Sequence, residues 1–195
     1  MKLPIQKFIR FGFVFLVACS SPTDQDNKSD NLVKNPGFEE SSNGIEPDDW
    51  EILVMGYESG MYMDSLNEHS GQYSCRIIYD PEGVDPLWSG EFELRQKIGI
   101  EKFDIGAEYR LSMWIKTDGI RLLATIGRSG YWWGPFLSET WIEKQTDWQK
   151  YEAVFIALVE NLVEDNYIRI FIDYQTANKV GFAWVDDVVL EKIAD

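Results

Sequence analysis

Apolar and polar residues alternate in short runs from Asn31 to the end of the chain. In YRLSMWIKT (109–117) and YIRIFIDY (167–174), every second residue is large and apolar over most of the run. Because side chains alternate between the two faces of a strand, this pattern predicts half-buried β-strands. About nine such runs, separated by turn residues and lacking a convincing helical period, predict an all-β chain folded as a single β-sandwich of the jelly-roll type.

The N-terminus has a different pattern, in which basic residues precede the apolar stretch FGFVFLVA (11–18). This stretch is too short to span a bilayer and is typical of a signal peptide. The sequence LVAC, ending at Cys19, resembles the lipobox of bacterial lipoproteins, which implies cleavage before Cys19 and acylation of its thiol. An ordinary secretory signal with an unrelated cysteine is the alternative. We predict a lipoprotein signal peptide at 1–18, an acylated cysteine with a flexible tether at 19–30, and one folded domain at 31–195.

The charge of the chain limits its partners. It has 33 acidic and 18 basic residues, giving a formal net charge of −15. This balance argues against binding to nucleic acid, which requires a basic surface, and against docking on anionic lipid. The acyl chains would therefore attach the protein to the membrane. Ser20 and Ser21, which follow the predicted lipidated cysteine, favour the bacterial outer membrane or cell surface, and the periplasmic face stays open.

Several segments together resemble a known family. They include NLVKNPGFEE (31–40), HSGQYSCRI (69–77) and GFAWVDDVVLE (181–191). In their order and spacing they resemble the CenC-like carbohydrate-binding modules, the group around families four, nine and twenty-two. The resemblance implies a galactose-binding-like jelly roll that binds sugar without cleaving it. It also implies glycoside hydrolases as partners, although no catalytic domain accompanies the module in this sequence.

Two adjacent carboxylates, Asp186 and Asp187, lie in a predicted strand that is largely apolar on both faces. At least one of them should be buried, and a buried carboxylate needs a cation or hydrogen-bond donors. The family resemblance implies a structural Ca²⁺ held by Glu39 and one of these aspartates. Carbonyl groups of the loop 67–73 are further expected ligands, with Glu68 as a candidate side chain. Strand parity leaves the choice of aspartate open, and we favour Asp187. The alternative is that one aspartate caps a turn or pairs with a Lys or Arg while the other is solvated.

Aromatic residues suggest where a sugar would bind. In SGYWWGPF (129–136), Tyr131, Trp132 and Trp133 are flanked by glycine and proline, which predicts a loop. Two neighbouring tryptophans in a strand could not both point into the core, so we expect this loop to offer a stacking surface for sugar rings. A loop that plugs the core is the alternative. Trp114, Trp148 and Trp184 are instead predicted to belong mainly to the core.

Four further candidates come from the resemblance. Trp88 matches a Trp-x-Gly segment that precedes a strand of the binding face in related modules, and Arg95 follows on that strand. Asp173 and Gln175 match positions where relatives carry an acidic or amide group facing sugar hydroxyls. For Arg95, Asp173 and Gln175, a solvated strand face is an equal alternative, and Arg169 could simply pair with Asp173.

The sequence offers a poor case for catalysis. His69 is the only histidine and lies in a turn-like segment, which makes triads and histidine-based metal sites improbable. No phosphate-binding glycine loop or zinc spacing occurs. We therefore expect a non-enzymatic lipoprotein that captures a neutral polysaccharide or oligosaccharide for partner enzymes. The alternatives are an adhesive module that binds a protein partner and, third, a small glycan-active hydrolase or lyase.

Overall fold

The computed structural model describes most of the predicted domain. The described residues are 31–53, 59–80, 93–128, 138, 141–158, 166–172 and 180–195. Within them no helix is long and apolar enough to cross a membrane. Cys19, the signal peptide and the tether lie outside the described residues, so the anchoring prediction is not tested.

Short strands, as the alternating pattern predicts, make up most of the described residues. A single 3₁₀ turn, Ile100–Lys102, is the helical element among them. The strands are β1 (Glu51–Leu53), β2 (Gly60–Asp64), β3 (Ser74–Tyr79), β4 (Glu93–Ile98), β5 (Glu108–Asp118), β6 (Arg121–Arg128), β7 (Ile142–Glu143), β8 (Gln149–Ile156), β9 (Asn166–Ile172) and β10 (Gly181–Ala194).

The strands form two five-stranded sheets. Sheet A has the order β1-β4-β9-β6-β7, and sheet B has the order β2-β3-β10-β5-β8. Neighbouring strands pair antiparallel in both sheets. Each sheet presents one apolar face to a shared core, which is the way a β-sandwich buries its hydrophobic surface. The prediction of an all-β sandwich is confirmed.

The core follows the alternation seen in the sequence. Leu111, Met113 and Ile115 of β5 are fully buried and pack in the core cluster with Ile168 and Ile170 of β9. The residues between them therefore point away from the core, onto the outer faces of the two sheets. These outer faces carry the polar and aromatic side chains from which a binding site could be built.

The tryptophans of sheet B differ from the prediction. Trp184 is only 8% exposed, but it lies outside the core cluster, because its neighbour Val185 is the residue that points inward. Trp184 pairs across the sheet with Lys116, and Trp114 pairs with Asp186, which places both rings on the outer face of sheet B. Trp148 is half-buried and also lies outside the core cluster. The prediction that these residues belong mainly to the core was therefore wrong for Trp114 and Trp148, whereas Trp184 is buried as predicted but on the outer face of sheet B.

Candidate functional site

The two adjacent aspartates of β10 find their partners in the loop 67–73. Asp186 is fully buried, and its Oδ2 accepts backbone N–H bonds from His69 at 2.9 Å and Ser70 at 3.1 Å. Its Oδ1 accepts a third N–H bond from Asp187 at 2.7 Å. Burial raises the pKa of Asp186 to about 6, and the three N–H donors oppose that rise. Backbone donors therefore compensate for the burial of this carboxylate.

Asp187 faces the same loop because β10 contains a bulge at this point. The pairing of β10 with β5 shifts between Asp186 and Val189, and Asp187 has a φ of 48°. Its carboxylate lies 2.6 Å from Nδ1 of His69 and accepts a 2.7 Å bond from the Ser70 hydroxyl. In a regular strand the two aspartates would face opposite sides of the sheet, so the bulge is what brings both to one loop.

Glu39 joins the start of the domain to this loop. Its Oε1 accepts N–H bonds from Gln72 at 2.9 Å and Tyr73 at 3.2 Å. The segment before it also pairs with the last strand, since Val188 donates its N–H to the Pro36 carbonyl at 2.9 Å. We call Glu39, the loop 67–73, Asp186 and Asp187 the terminal clasp, because together they fasten the two ends of the domain.

The fit of the terminal clasp to Ca²⁺ is partial. A Cβ placed on Gly37 would lie 3.7 Å from Oδ1 of Asp186 and 3.9 Å from Oδ1 of Asp187, so two carboxylates border a small space there. Carboxylate and carbonyl oxygens are the ligands that Ca²⁺ prefers. However, no three acidic, His or Cys side chains in the described part of the chain are placed to hold a metal together. Glu68 is exposed, and the clasp carboxylates accept the protein's own hydrogen bonds. Calcium stays a prediction.

The outer face of sheet A forms the second candidate region. Its side chains fall into rows that run across the strands, because residues paired in an antiparallel ladder share a face. The rows are Glu51–Arg95–Arg169–Thr125, Lys97–Tyr167–Gly127 and Glu93–Phe171–Leu123. Aromatic rings in two rows thus flank a central polar row.

Tyr167 is an aromatic ring of this face that lies beside Arg95. It is half-buried, and the guanidinium carbon of Arg95 lies 4.6 Å from its ring centre. Arg95 is held in turn by Glu51, whose Oε2 lies 2.9 Å from both Nε and Nη2 of the guanidinium. On the opposite side Tyr167 pairs with Gly127, which has no side chain to cover the ring at that position. The arrangement presents an aromatic ring beside a fixed array of polar groups.

The outer face of sheet A also contains a buried ion pair. Arg169 donates from Nε to Oε1 of Glu93 at 2.7 Å and from Nη2 to Oε2 at 2.5 Å, and both side chains are almost completely buried. The Arg169 guanidinium also lies 4.3 Å from the ring centre of Phe171. This bidentate geometry holds β4 and β9 in register at the candidate site.

One of the predicted sugar-binding residues lies among the described residues, and the structure brings two further candidate residues next to it. Arg95 lies on the outer face of sheet A. Tyr167 and Glu51 were not predicted as site residues, because their proximity to Arg95 depends on pairing between distant strands. The remaining candidates lie outside the described residues: Trp88, Tyr131, Trp132, Trp133, Asp173 and Gln175.

Comparison with solved structures identifies the fold. The chain is similar to the carbohydrate-binding module TmCBM61, solved with β-1,4-galactotriose, with a TM-score of 0.55, 21% identity, and coverage of 85% of this chain and 100% of that one. It is also similar to the CBM22-1 xylan-binding domain of Paenibacillus barcinonensis Xyn10C, with a TM-score of 0.54, 11% identity, and coverage of 86% and 97%. The fold is thus the jelly roll seen in carbohydrate-binding modules.

Enzymes share this fold as well. The Stig cyclase Fisc from Fischerella sp. TAU, solved with an indole derivative, is similar with a TM-score of 0.58, 17% identity, and coverage of 83% of this chain and 96% of that one. No protein-family model matches the chain. No curated protein matches it either. At these identities the similarity establishes architecture, and function has to be argued from the site.

Proposed function

We propose that this protein is a non-catalytic carbohydrate-binding protein, and that the sugar binds on the outer face of sheet A. The observation that carries the proposal is the half-buried Tyr167 ring, fixed beside Arg95 and Glu51 and paired with a residue that lacks a side chain. The similarity to modules solved with galactotriose or described as xylan-binding supports the same conclusion.

The chemistry of the site suits a saccharide. The apolar C–H face of a sugar ring stacks on a tyrosine, and the rigid ring loses little conformational entropy on binding. The Arg95–Glu51 pair presents a donor array and an acceptor in fixed positions, which suits sugar hydroxyl groups. We expect Trp88 and the loop residues Tyr131, Trp132 and Trp133 to add stacking contacts.

The proposed cellular role rests on the N-terminal segment and on the net charge of the chain. We propose that acylated Cys19 and the tether 19–30 hold the domain at the outer membrane or cell surface. There it would capture a polysaccharide built mainly from uncharged sugars and retain it for separate glycoside hydrolases. The net charge of −15 disfavours polyanions, which favours such polymers.

The test is calorimetric titration of the mature protein with soluble glucans, xylans, mannans and galactans. We expect one class to bind, and Tyr167→Ala to weaken binding about tenfold or more through lost stacking area. Tyr62→Ala is the matched control, because Tyr62 is also half-buried but belongs to sheet B. Equal losses in both variants, or no binding of any polymer by the folded protein, would refute the proposal.

Protein binding is the second candidate function. Val154 and Ile156 are 48% and 52% exposed on β8, which is one of the two edge strands of sheet B. An edge strand with exposed apolar residues can dock another chain. This candidate predicts that Val154→Lys abolishes capture of the protein partner and leaves every glycan titration unchanged.

We also propose a structural Ca²⁺ in the terminal clasp, with Glu39 and Asp186 or Asp187 among its ligands. An ion that binds only the folded state raises stability by about 2.7 kcal/mol at one hundred times its dissociation constant. Thermal unfolding in calcium and in chelator measures this, and Glu39→Gln should reduce the difference. Identical unfolding curves in both buffers would show that hydrogen bonds alone close the clasp.

A further inference from the structure

The strand β8 has an open edge. It is the last strand of sheet B, and among the described strands it pairs with β5. Ala157, which follows β8, donates its N–H to the Ala107 carbonyl at 3.0 Å and accepts the Gly106 N–H at 2.8 Å. In an antiparallel ladder, residues bonded to the neighbouring strand alternate with residues whose N–H and C=O groups point away from it. The residues of β8 with outward groups are therefore Lys150, Glu152, Val154 and Ile156.

Exposed apolar residues gather along the same edge. Val154 and Ile156 lie on β8, and Leu158, which is 37% exposed, follows it. Ile105 is 51% exposed and precedes Gly106, which bonds to Ala157. Exposed apolar side chains beside open main-chain groups favour the addition of another strand. Lys150 and Glu152 place charges on this edge, so a strand that pairs with it has to carry complementary charges.

The sequence of β8 is complementary to itself. In an antiparallel pairing of two copies centred on Tyr151, Lys150 of each copy lies directly opposite Glu152 of the other. The same register places Val154 opposite the half-buried Trp148 of the second copy and the two Tyr151 side chains opposite each other. Opposite charges, an aromatic ring with a β-branched residue, and two aromatic rings are all stabilising cross-strand pairs.

Neighbouring registers lack this complementarity. Because the open groups belong to alternate residues, a two-fold axis has to pass through a residue rather than between two. An axis at Glu152 places two carboxylates directly opposite each other, which is destabilising. An axis at Ala153 places Lys150 opposite Ile156 and Glu152 opposite Val154, so both charges face apolar side chains. The axis at Tyr151 therefore gives the best match.

We propose that β8 pairs with β8 of a second copy of this chain, which joins two five-stranded B sheets into one sheet of ten strands. The contact is isologous, since each copy offers the other the same surface. Lys150 Nζ already lies 3.5 Å from Glu152 Oε2 within one copy, and both side chains are about half exposed. The dimer gives each ammonium group a second carboxylate partner.

This dimer leaves the outer face of sheet A open in both copies. Directly opposite residues of an antiparallel pair share a face, so the two-fold axis is perpendicular to the joined sheet and both A sheets lie on the same side. The consequence for glycans rests on the proposed function. One dimer presents two sugar sites to one polymer, and linked sites bind a long polymer more tightly than either site alone.

Sedimentation equilibrium tests the dimer. It uses the mature protein without its acyl groups in reducing buffer, so that neither lipid nor a Cys19 disulfide joins two copies. We expect a monomer–dimer equilibrium with a dissociation constant of about 1 to 100 μM, because each copy contributes one edge strand and both copies are acidic. A monomer at every concentration through this range would overturn the proposal.

Charge exchange locates the contact. Lys150→Glu turns two attractive pairs into two repulsive ones, and should raise the dissociation constant about tenfold or more. Adding Glu152→Lys to this variant restores both pairs in exchanged form, and should return the constant to within about threefold of the wild type. Lys34→Glu is the control, because it changes the net charge equally at a side chain that is 76% exposed and remote from β8. It should alter the constant less than about threefold.

The outcomes separate the dimer from the glycan site. Dimerisation unaffected by Lys150→Glu would overturn the proposal, because the copies would then meet elsewhere. Failure of the double exchange to restore the dimer would overturn it as well. Lys150→Glu should weaken binding of a long polymer and leave binding of a short oligosaccharide unchanged. Absence of binding to every glycan would refute the proposed function and leave the sedimentation result standing.

Discussion

Both sheets carry aromatic and cationic side chains on their outer faces, but the two faces use them differently. On sheet B, the His69 ring stacks on Trp114 with centroids 3.8 Å apart, and Lys116 Nζ lies 5.1 Å from the centre of Trp184. These rings are covered by neighbouring side chains of the same molecule. On sheet A, Tyr167 has Arg95 over its ring and Gly127 across from it.

The difference teaches that aromatic content alone does not identify a binding face. Trp184 donates its ring N–H to Asp64 at 2.8 Å. Burial raises the pKa of Asp64, but hydrogen bonds from Trp184, the Leu66 N–H and Asn67 outweigh it and hold the pKa below its usual value. The outer face of sheet B thus engages its aromatic rings in contacts with its own side chains. A ligand needs a ring that keeps one side uncovered: Arg95 lies over Tyr167 on one side, and Gly127 has no side chain to cover it from the other.

The largest expected effect concerns the contribution of the Glu93–Arg169 ion pair to the stability of sheet A. Glu93→Gln removes the carboxylate that accepts two hydrogen bonds from the buried Arg169 guanidinium, and should cost about 3 to 5 kcal/mol of unfolding free energy. Urea unfolding measures the loss. Glu51→Gln is the matched control, because Glu51 is 57% exposed and its ion pair with Arg95 should contribute less than about 1 kcal/mol. Equal costs for the two variants would show that burial of the Glu93–Arg169 pair has no energetic consequence.

The same contrast shows which features of the fold and of the candidate site could be predicted from the sequence alone. Alternation along β5 and β9 was sufficient to predict the sandwich, because a two-residue period determines which face each side chain occupies. It could not predict that Glu93 pairs with Arg169, since that contact depends on register between distant strands. The bulge at Asp187 was also missed, because an inserted residue breaks the parity on which the prediction rested.

The next prediction concerns how the stability of the folded protein depends on pH through Asp186, a residue of the terminal clasp. The folded-state pKa of Asp186 is about 6, above its usual value of 3.8. The folded protein therefore binds this proton more tightly than the unfolded chain, and its contribution to stability is present at low pH and lost as pH rises from about 4 to 6. Two pKa units correspond to a loss of about 3 kcal/mol.

The measurement is urea unfolding in calcium-free buffer at several pH values, for the wild type and for Asp186→Asn, which stays neutral throughout. The wild type should lose stability relative to the variant across that window. Bound Ca²⁺ would reverse the trend, because it favours the ionised carboxylate. Parallel stability curves without calcium would contradict the prediction, and glycan binding by sheet A should be unaffected in either case.

The smallest expected effect concerns the hydrogen bond between Trp184 and Asp64 on sheet B. Trp184→Phe keeps an aromatic ring beside Lys116 but removes the N–H donor to Asp64, so it should cost about 1 to 2 kcal/mol. A double-mutant cycle with Asp64→Asn should give a coupling energy of about 1 kcal/mol, since the two side chains share one hydrogen bond. Affinity for the glycan should stay unchanged, because Trp184 lies on the sheet opposite to Tyr167. If Trp184→Phe instead weakened glycan binding without lowering stability, the assignment of binding to sheet A and of support to sheet B would have to be exchanged.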